Sequence, residues 1–267
     1  MTPTGTKTTT GSARRWGPLW GARPLDWALS EDQQTPTYEA ALKRVEPPRG
    51  RAVLDVGCGV GAFLRLVTER GVRAFGIDAS RALIELARER LPRAELRVGE
   101  MEALPYEDDS FDLVTGFNSF FFADIAGAVR EAGRVAKSGA PVIIQVWGPH
   151  NRNDLEAMKE IARPFFPPRP ADAPAEPDYS KPGVLEDIAT TAGLAPEQAF
   201  DASWAFEFPD EDTMTRALAA PGGLALLVGH KREPEFKQAL IDGLAPYRQA
   251  DGSYTLRNEY HYLIARA

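Results

Sequence analysis

The chain has 267 residues, 43% hydrophobic and 26% charged, and a formal net charge of −7. That length holds one large α/β domain or two small ones, and an acidic surface repels phosphate backbones, which argues against nucleic acid as a substrate. A single cysteine excludes an internal disulfide framework and a cysteine-based zinc site; no metal-ligand cluster is recognisable, and no run of about 18 apolar residues exists to span a membrane.

Residues 1–13 are mostly Thr, Gly and Ser and are expected to form a flexible tail. This stretch lacks the apolar core of a signal peptide, so the expected location is the cytoplasm. Residues 14–46 hold three of the five tryptophans, Trp16, Trp20 and Trp27, and are expected to form a helical lid. Within it, Pro36 after Thr35 opens a helix with Tyr38, Ala41, Leu42 and Val45 at helical spacing.

A regular alternation follows over residues 47–150. "RAVLDV" (51–56) reads as a buried strand, and Val60, Phe63, Leu64 and Val67 form the stripe of a helix ending near Gly71. "VRAFGID" (72–78) is a second strand, and Ser80 caps a helix carrying Leu83, Ile84, Ala87 and Leu91. "AELRVG" (94–99), "SFDLVTGF" (110–117) and "APVIIQVWG" (140–148) complete five strands, with a helix through Ile125, Ala128, Val129 and Ala132 before the last. Strands separated by helices predict a parallel sheet with right-handed crossovers and helices on both faces.

Residues 151–182 are proline-rich and are expected to cover the substrate. Residues 183–267 complete the sheet. Leu185, Ile188, Ala189 and Ala192 mark a helix closed by Gly193, and "SWAFEFP" (203–209) a sixth strand. Helices are predicted around 210–220 and 234–245, within an insertion at 210–246. A final strand alternates Tyr254, Leu256, Tyr260, Tyr262 and Ile264, as expected of an antiparallel strand near a sheet edge.

"VLDVGCGVGAFL" (53–64) places Gly57, Gly59 and Gly61 where the first strand hands over to a helix. In an open parallel sheet, ligands bind outside the carboxyl ends of the strands, next to the first one. The glycines are therefore expected to admit a ligand close to the backbone, with the positive helix N-terminus behind it. Asp78 ends the second strand, where a carboxylate suits a ribose diol, and Asp55 suits an ammonium or a held water.

"VLDVGCGVG", "GID", "GEMEALPYEDDSFDLV" and "PVIIQV" together resemble the class I S-adenosylmethionine-dependent methyltransferases, of the ubiquinone-biosynthesis-like small-molecule branch. The resemblance covers residues 50–148 well and 183–267 by pattern. It implies a Rossmann-like seven-stranded sheet, mostly parallel with the last strand antiparallel, helices on both faces and a helical, proline-rich cap. It also implies S-adenosylmethionine as cofactor and S-adenosylhomocysteine as product. Asp55, Gly57, Cys58, Gly59 and Gly61 would hold the methionine part, Asp78 the ribose, and Ala79 the adenine, with Phe117 beside the cofactor. Glu100 and Met101 stand where the family usually has Asp-Ala, placing an acid near the adenine amino group. "WGARPLDWA" (20–28) resembles an N-terminal lid, in which Trp20, Arg23 and Trp27 cover the cofactor and Arg23 meets its carboxylate.

For the acceptor, "GFNSFFFADI" (116–125) offers Asn118 as a hydrogen-bonding group and Phe120 and Phe121 as an apolar wall. His150, after the fifth strand, is the candidate general base or substrate contact; His230 and His261 read as structural. Phe165, Phe166, Tyr179 and Trp204 could roof the pocket or simply pack. Cys58 reads as a small loop residue rather than a nucleophile. "GFNS" lacks the Asn/Asp-Pro-Pro-aromatic signature of amide and adenine-amino methylation. The expected function is methyl transfer to oxygen, nitrogen or carbon of a small, partly apolar metabolite, without nucleic-acid or membrane partners. The alternatives are non-methyl chemistry on the same fold and a cofactor-sensing module; the oligomeric state stays open.

Overall fold

The computed structural model describes residues 11–45, 47, 49–167 and 177–267. The tail at 1–10 and the most proline-dense part of the expected cover, 168–176, lie outside the described residues.

Seven strands form one sheet: β1 (Ala52–Val56), β2 (Arg73–Asp78), β3 (Glu95–Val98), β4 (Leu113–Phe117), β5 (Pro141–Trp147), β6 (Ala195–Phe208) and β7 (Tyr254–Arg266). Their spatial order is β3-β2-β1-β4-β5-β7-β6, parallel from β3 to β5, with β7 antiparallel to both β5 and β6. The order reverses between β1 and β4, so a crevice opens at their carboxyl ends.

Period-two alternation sends successive strand residues to opposite faces. One face carries Leu54, Val56, Val114, Ile144 and Leu263 under α6 (Ile125–Val135) and α8 (Val184–Thr191). The other carries Val53, Leu113, Ile143, Tyr260, Tyr262 and Ile264 under α3 (Thr35–Leu42), α4 (Ala62–Glu69) and α5 (Arg81–Arg90). Burial on both faces is why β1, β4 and β5 read as near-continuous apolar runs, interrupted only by Asp55, Thr115 and Gln145. The Ser80 hydroxyl caps α5 by accepting from Leu83 N at 3.3 Å.

The far ends of β6 and β7 carry a helical annex. Phe206, Phe208, Tyr254 and Leu256 pack against α9 (Glu211–Ala219) and α11 (Glu233–Leu244), with α10 (Leu224–Val228) between them. α7 (Ala157–Ala162) packs here too, through Met158 and Ile161. No helix among the described residues is long and apolar enough to cross a membrane.

Three sequence expectations need correction. A helix begins inside the expected tail: α1 (Ser12–Trp20) starts at Ser12, and Ala13 is buried. Its first turn is held by Glu100, whose carboxylate accepts from Ser12 Oγ at 2.7 Å and Ala13 N at 2.9 Å. β6 starts at Ala195 instead of 203, because "APEQAFDA" is an edge segment with little apolar burial and takes its strand form from pairing with β7. Phe120 belongs to the core. In the 3-10 turn Phe120–Phe122 it points back onto β4, where a Cβ on Gly116 would lie 2.3 Å from its ring. Phe120→Ala should therefore destabilise the fold by about 3–5 kcal/mol in denaturant unfolding, whereas Phe121→Ala, at a half-buried position, should cost much less.

Candidate functional site

The glycine-rich turn is tight, and the chain itself makes the close approaches. Gly57, Gly59 and Gly61 have φ of 78°, 54° and 87°, the left-handed region that side chains disfavour. A Cβ on Gly57 would sit 2.4 Å from Ser119, one on Gly59 2.1 Å from the Glu31 carboxylate, and one on Gly61 2.6 Å from Leu91. The glycines thus clear room for Ser119, Glu31 and Leu91, and Gly57 and Gly59 also line the cavity beside the turn.

The turn's donors are engaged as well. Gly57 N and Cys58 N donate to Ile77 O, and Gly61 N to Cys58 O. Gly59 N donates to Asp78 Oδ2 at 3.0 Å; Val60 N and Ala62 N donate to Glu31 at 2.7 and 2.9 Å. Every backbone N–H from Gly57 to Ala62 thus has an internal acceptor. A pyrophosphate would find no free amide here, which excludes the dinucleotide mode of binding at this turn.

Beside the turn lies a cavity of about 380 Å³, within the usual range for small-ligand sites. It follows the crevice across the sheet. Asp78, Ala79 and Met101 line it beyond β2 and β3, Asp55 and the glycine turn beyond β1, Asn118 and Trp147 beyond β4 and β5, and Phe206 on β6. Trp16, Trp20 and Trp27 of α1 and α2 (Pro24–Glu31) cover the β2 side. Their rings meet edge-on with Phe122: Trp16–Phe122 at 4.9 Å, Trp20–Phe122 at 5.3 Å and Trp20–Trp27 at 4.7 Å. Tyr38, Phe117, Trp147, Leu155, Phe206, Leu218, Pro221 and Gly222 add largely apolar walls to the same cavity.

Three carboxylates face this space: Glu31, Asp55 and Asp78. No Lys, Arg or His lines it among the described residues. Burial pushes Asp55 up to about 8, against a Thr115 hydroxyl donating at 2.7 Å, and Glu31 up to about 7, against its backbone donors. Burial raises Asp78 too, although Ser80 N and Gly59 N donate to it. Charged forms stripped of water without a cation are costly, so the site suits a ligand that brings positive charge. Asn118 adds a second unmet demand. It sits at φ 49°, lines the cavity, and both amide atoms are buried without a partner.

Of the residues named from sequence, Asp55, Gly57, Cys58, Gly59, Asp78, Ala79, Met101, Phe117, Asn118, Phe121, Trp20 and Trp27 come together on this cavity. Gly61 lies just outside, under Leu91. Glu100 lines a smaller adjoining recess, where its carboxylate holds the start of α1. Arg23 is absent from the lining and pairs with Glu233 at 2.7 Å, so it is corrected from cofactor partner to a tie between α2 and α11.

His150 is corrected likewise. The 3-10 turn after β5 carries its side chain outwards, 57% exposed, onto Glu156 at 3.0 Å. His150→Ala should leave any turnover within about twofold of wild type in a steady-state assay, as for surface substitutions away from a site. Nor does another histidine replace it: His230 is exposed and His261 pairs with Asp201 at 2.6 Å. The roof residues also move. Phe165 packs on Phe236 and Phe166 on the same annex core, Tyr179 stacks on Phe121, and Trp204 is 44% exposed on the edge strand.

Sequence reasoning missed Glu31, Tyr38, Trp147, Phe206 and Leu218. Glu31 left one signal: an acid in the last turn of a helix opposes the macrodipole and needs a reason.

Residues 54–144 match the family described as a methyltransferase domain. A demethylmenaquinone methyltransferase from Chlorobaculum parvum is 34% identical over 129 residues, 47% of this chain and 52% of that protein. A malonyl-[acyl-carrier protein] O-methyltransferase from Halorhodospira halophila is 33% identical over 130 residues, 46% and 44% of the two chains. The chain spans about half the length of the curated relatives it matches. Among solved structures, the [4+2]-cyclase SpnF aligns over 98% of both chains with a TM-score of 0.64 at 18% identity. The YcgJ protein from Bacillus subtilis aligns over 86% of this chain and 97% of its own, with a TM-score of 0.56 at 20% identity. At such identities these likenesses speak to the fold. Residues 54–144 thus match a methyltransferase domain, and that stretch lies within a Rossmann-like seven-stranded sheet.

Proposed function

We propose that the protein transfers a methyl group from S-adenosylmethionine to a small, partly apolar acceptor. The observation that carries this reading is a cavity lined by three buried carboxylates and aromatic walls, with no cationic side chain on it among the described residues. A sulfonium and an ammonium are the charges such a site needs. Asp78 would hold the ribose hydroxyls, since each of its oxygens already accepts one backbone N–H and keeps a further lone pair. Trp16, Ala79 and Met101 would flank the adenine, and Asn118 would supply the amide groups now without partners.

When bound, S-adenosylmethionine supplies an activated methyl on a sulfonium, so the protein's main task is to orient the acceptor. Well-oriented reactants recover about 7–11 kcal/mol of a bimolecular barrier. Tyr38, Phe117, Trp147 and Phe206 provide flat apolar walls for that purpose, and the helix lid excludes water. With every histidine outside the cavity, an acceptor that needs little help losing a proton fits best; the buried free thiol of Cys58 accords with a reducing, cytoplasmic setting.

The test is incubation with S-adenosylmethionine and a panel of small hydroxylated, aromatic and amine acceptors, read by mass spectrometry. A product heavier by one methylene, formed in step with S-adenosylhomocysteine, is expected. Acceptor conversion without S-adenosylhomocysteine would instead favour non-methyl chemistry with the cofactor as a structural part.

A further inference from the structure

Glu31 closes α2, and its carboxylate is the only acidic group the lid sends to the cavity among the described residues. It is 4% exposed and accepts three hydrogen bonds: Val60 N at 2.7 Å and Trp27 Nε1 at 2.6 Å on Oε2, and Ala62 N at 2.9 Å on Oε1. All three donors are neutral, so they orient the carboxylate without supplying a counter-charge. Oε1 accepts a single bond and has capacity for another. The lid helix is fixed on its other side by Arg23–Glu233 and Arg216–Asp26 ion pairs and by Ser30 Oγ donating to Ala217 O. Glu31 is therefore held at the cavity wall from both directions.

We infer that Glu31 recognises the ammonium of the ligand's amino-acid end. The inference rests on the reading of the cavity as an S-adenosylmethionine site and extends it to a specificity-determining residue. The first turn of α4 is where a ligand carboxylate would be sought, because a helix N-terminus offers free N–H groups. Here Glu31 takes Val60 N and Ala62 N, which sets a carboxylate at the cavity wall where α4 begins. Asp55 lies on the same wall, fixed by Thr115. The site thus reads the amine of an amino-acid ligand and is indifferent to its acid.

Two calorimetric measurements test this, both without turnover. On the wild-type protein, S-adenosylhomocysteine is compared with its deaminated and its decarboxylated analogues. Loss of the amine should weaken binding by about tenfold or more, as for a hydrogen bond to a charged group, and loss of the carboxylate by less than about threefold. The opposite ranking would overturn the inference while leaving the cofactor assignment intact. The second measurement sets Glu31→Gln against wild type with S-adenosylhomocysteine and with 5′-methylthioadenosine, which lacks the amino-acid end. A selective loss for S-adenosylhomocysteine of about tenfold is expected. A parallel loss for both ligands, or none for either, would show that Glu31 only braces the glycine turn. If wild type binds none of these nucleosides, the cofactor reading itself falls, and the inference with it.

Discussion

Asp78→Ala is expected to weaken S-adenosylmethionine binding by roughly a hundredfold while the protein stays folded. A ribose diol donates two hydrogen bonds to this carboxylate in the proposed mode, and each bond to a charged group is worth about 1.5–3 kcal/mol. The lower end of that range for both already gives two decades of affinity. Asp78 also accepts from Gly59 N and Ser80 N, so the alanine variant leaves two backbone donors to find water. Asp78→Asn keeps an acceptor for one of them, sets its amide NH2 against the other, and serves as the companion variant, with a smaller loss of about tenfold. Unchanged affinity in both variants would mean that the ligand does not lie over the end of β2.

The second large effect is a pH dependence with opposite signs for stability and binding. Burial raises Asp55 to about 8 and Glu31 to about 7 in the ligand-free chain, well above the values each has when exposed. The folded protein therefore holds more protons than the unfolded chain through that interval. The stability linked to these two groups is complete below their unfolded pKa values and is lost as pH rises through 7 and 8. Thermal unfolding of the ligand-free protein should accordingly fall by several degrees between about pH 5 and 8.5. Binding a cation favours the charged carboxylates, so affinity for S-adenosylmethionine should rise from about pH 6 to about 7.5. It should level off once the ligand's own amine begins to lose its proton, near 7.7–8.0 for an ordinary α-amino group. A cofactor-induced shift in unfolding temperature that shrinks over the same interval would contradict the electrostatic picture of the site.

The sheet was legible because its central strands are buried on both faces and bounded by glycine. "RAVLDV", "SFDLVTGF" and "APVIIQVWG" correspond to β1, β4 and β5 within a few residues. The start of β6 was hidden, since an edge strand paired only to β7 needs no apolar alternation. The glycine cluster announced a tight turn correctly, yet what comes close to Gly59 is a carboxylate 28 residues earlier in the chain. No local pattern encodes that placement; it depends on the lid folding back over α4.

The same limit explains the misplaced site residues. Three consecutive phenylalanines cannot all face one way in a 3-10 turn, and the small side of Gly116 decides that Phe120 goes inward while Phe121 and Phe122 reach the cavity. His150 was placed correctly at the carboxyl end of β5, but one further turn of backbone sends it to solvent and Glu156. The cavity walls Tyr38, Trp147, Phe206 and Leu218 come from four distant segments, and only the assembled sheet and annex bring them together.

The most direct measurement is a calorimetric titration of the wild-type protein with S-adenosylmethionine near neutral pH. One saturable site of micromolar affinity, weakened in Asp78→Asn, is the predicted result. The absence of any binding heat, across temperatures at which the protein is folded, would contradict the claim that this acidic, tryptophan-covered cavity holds the cofactor.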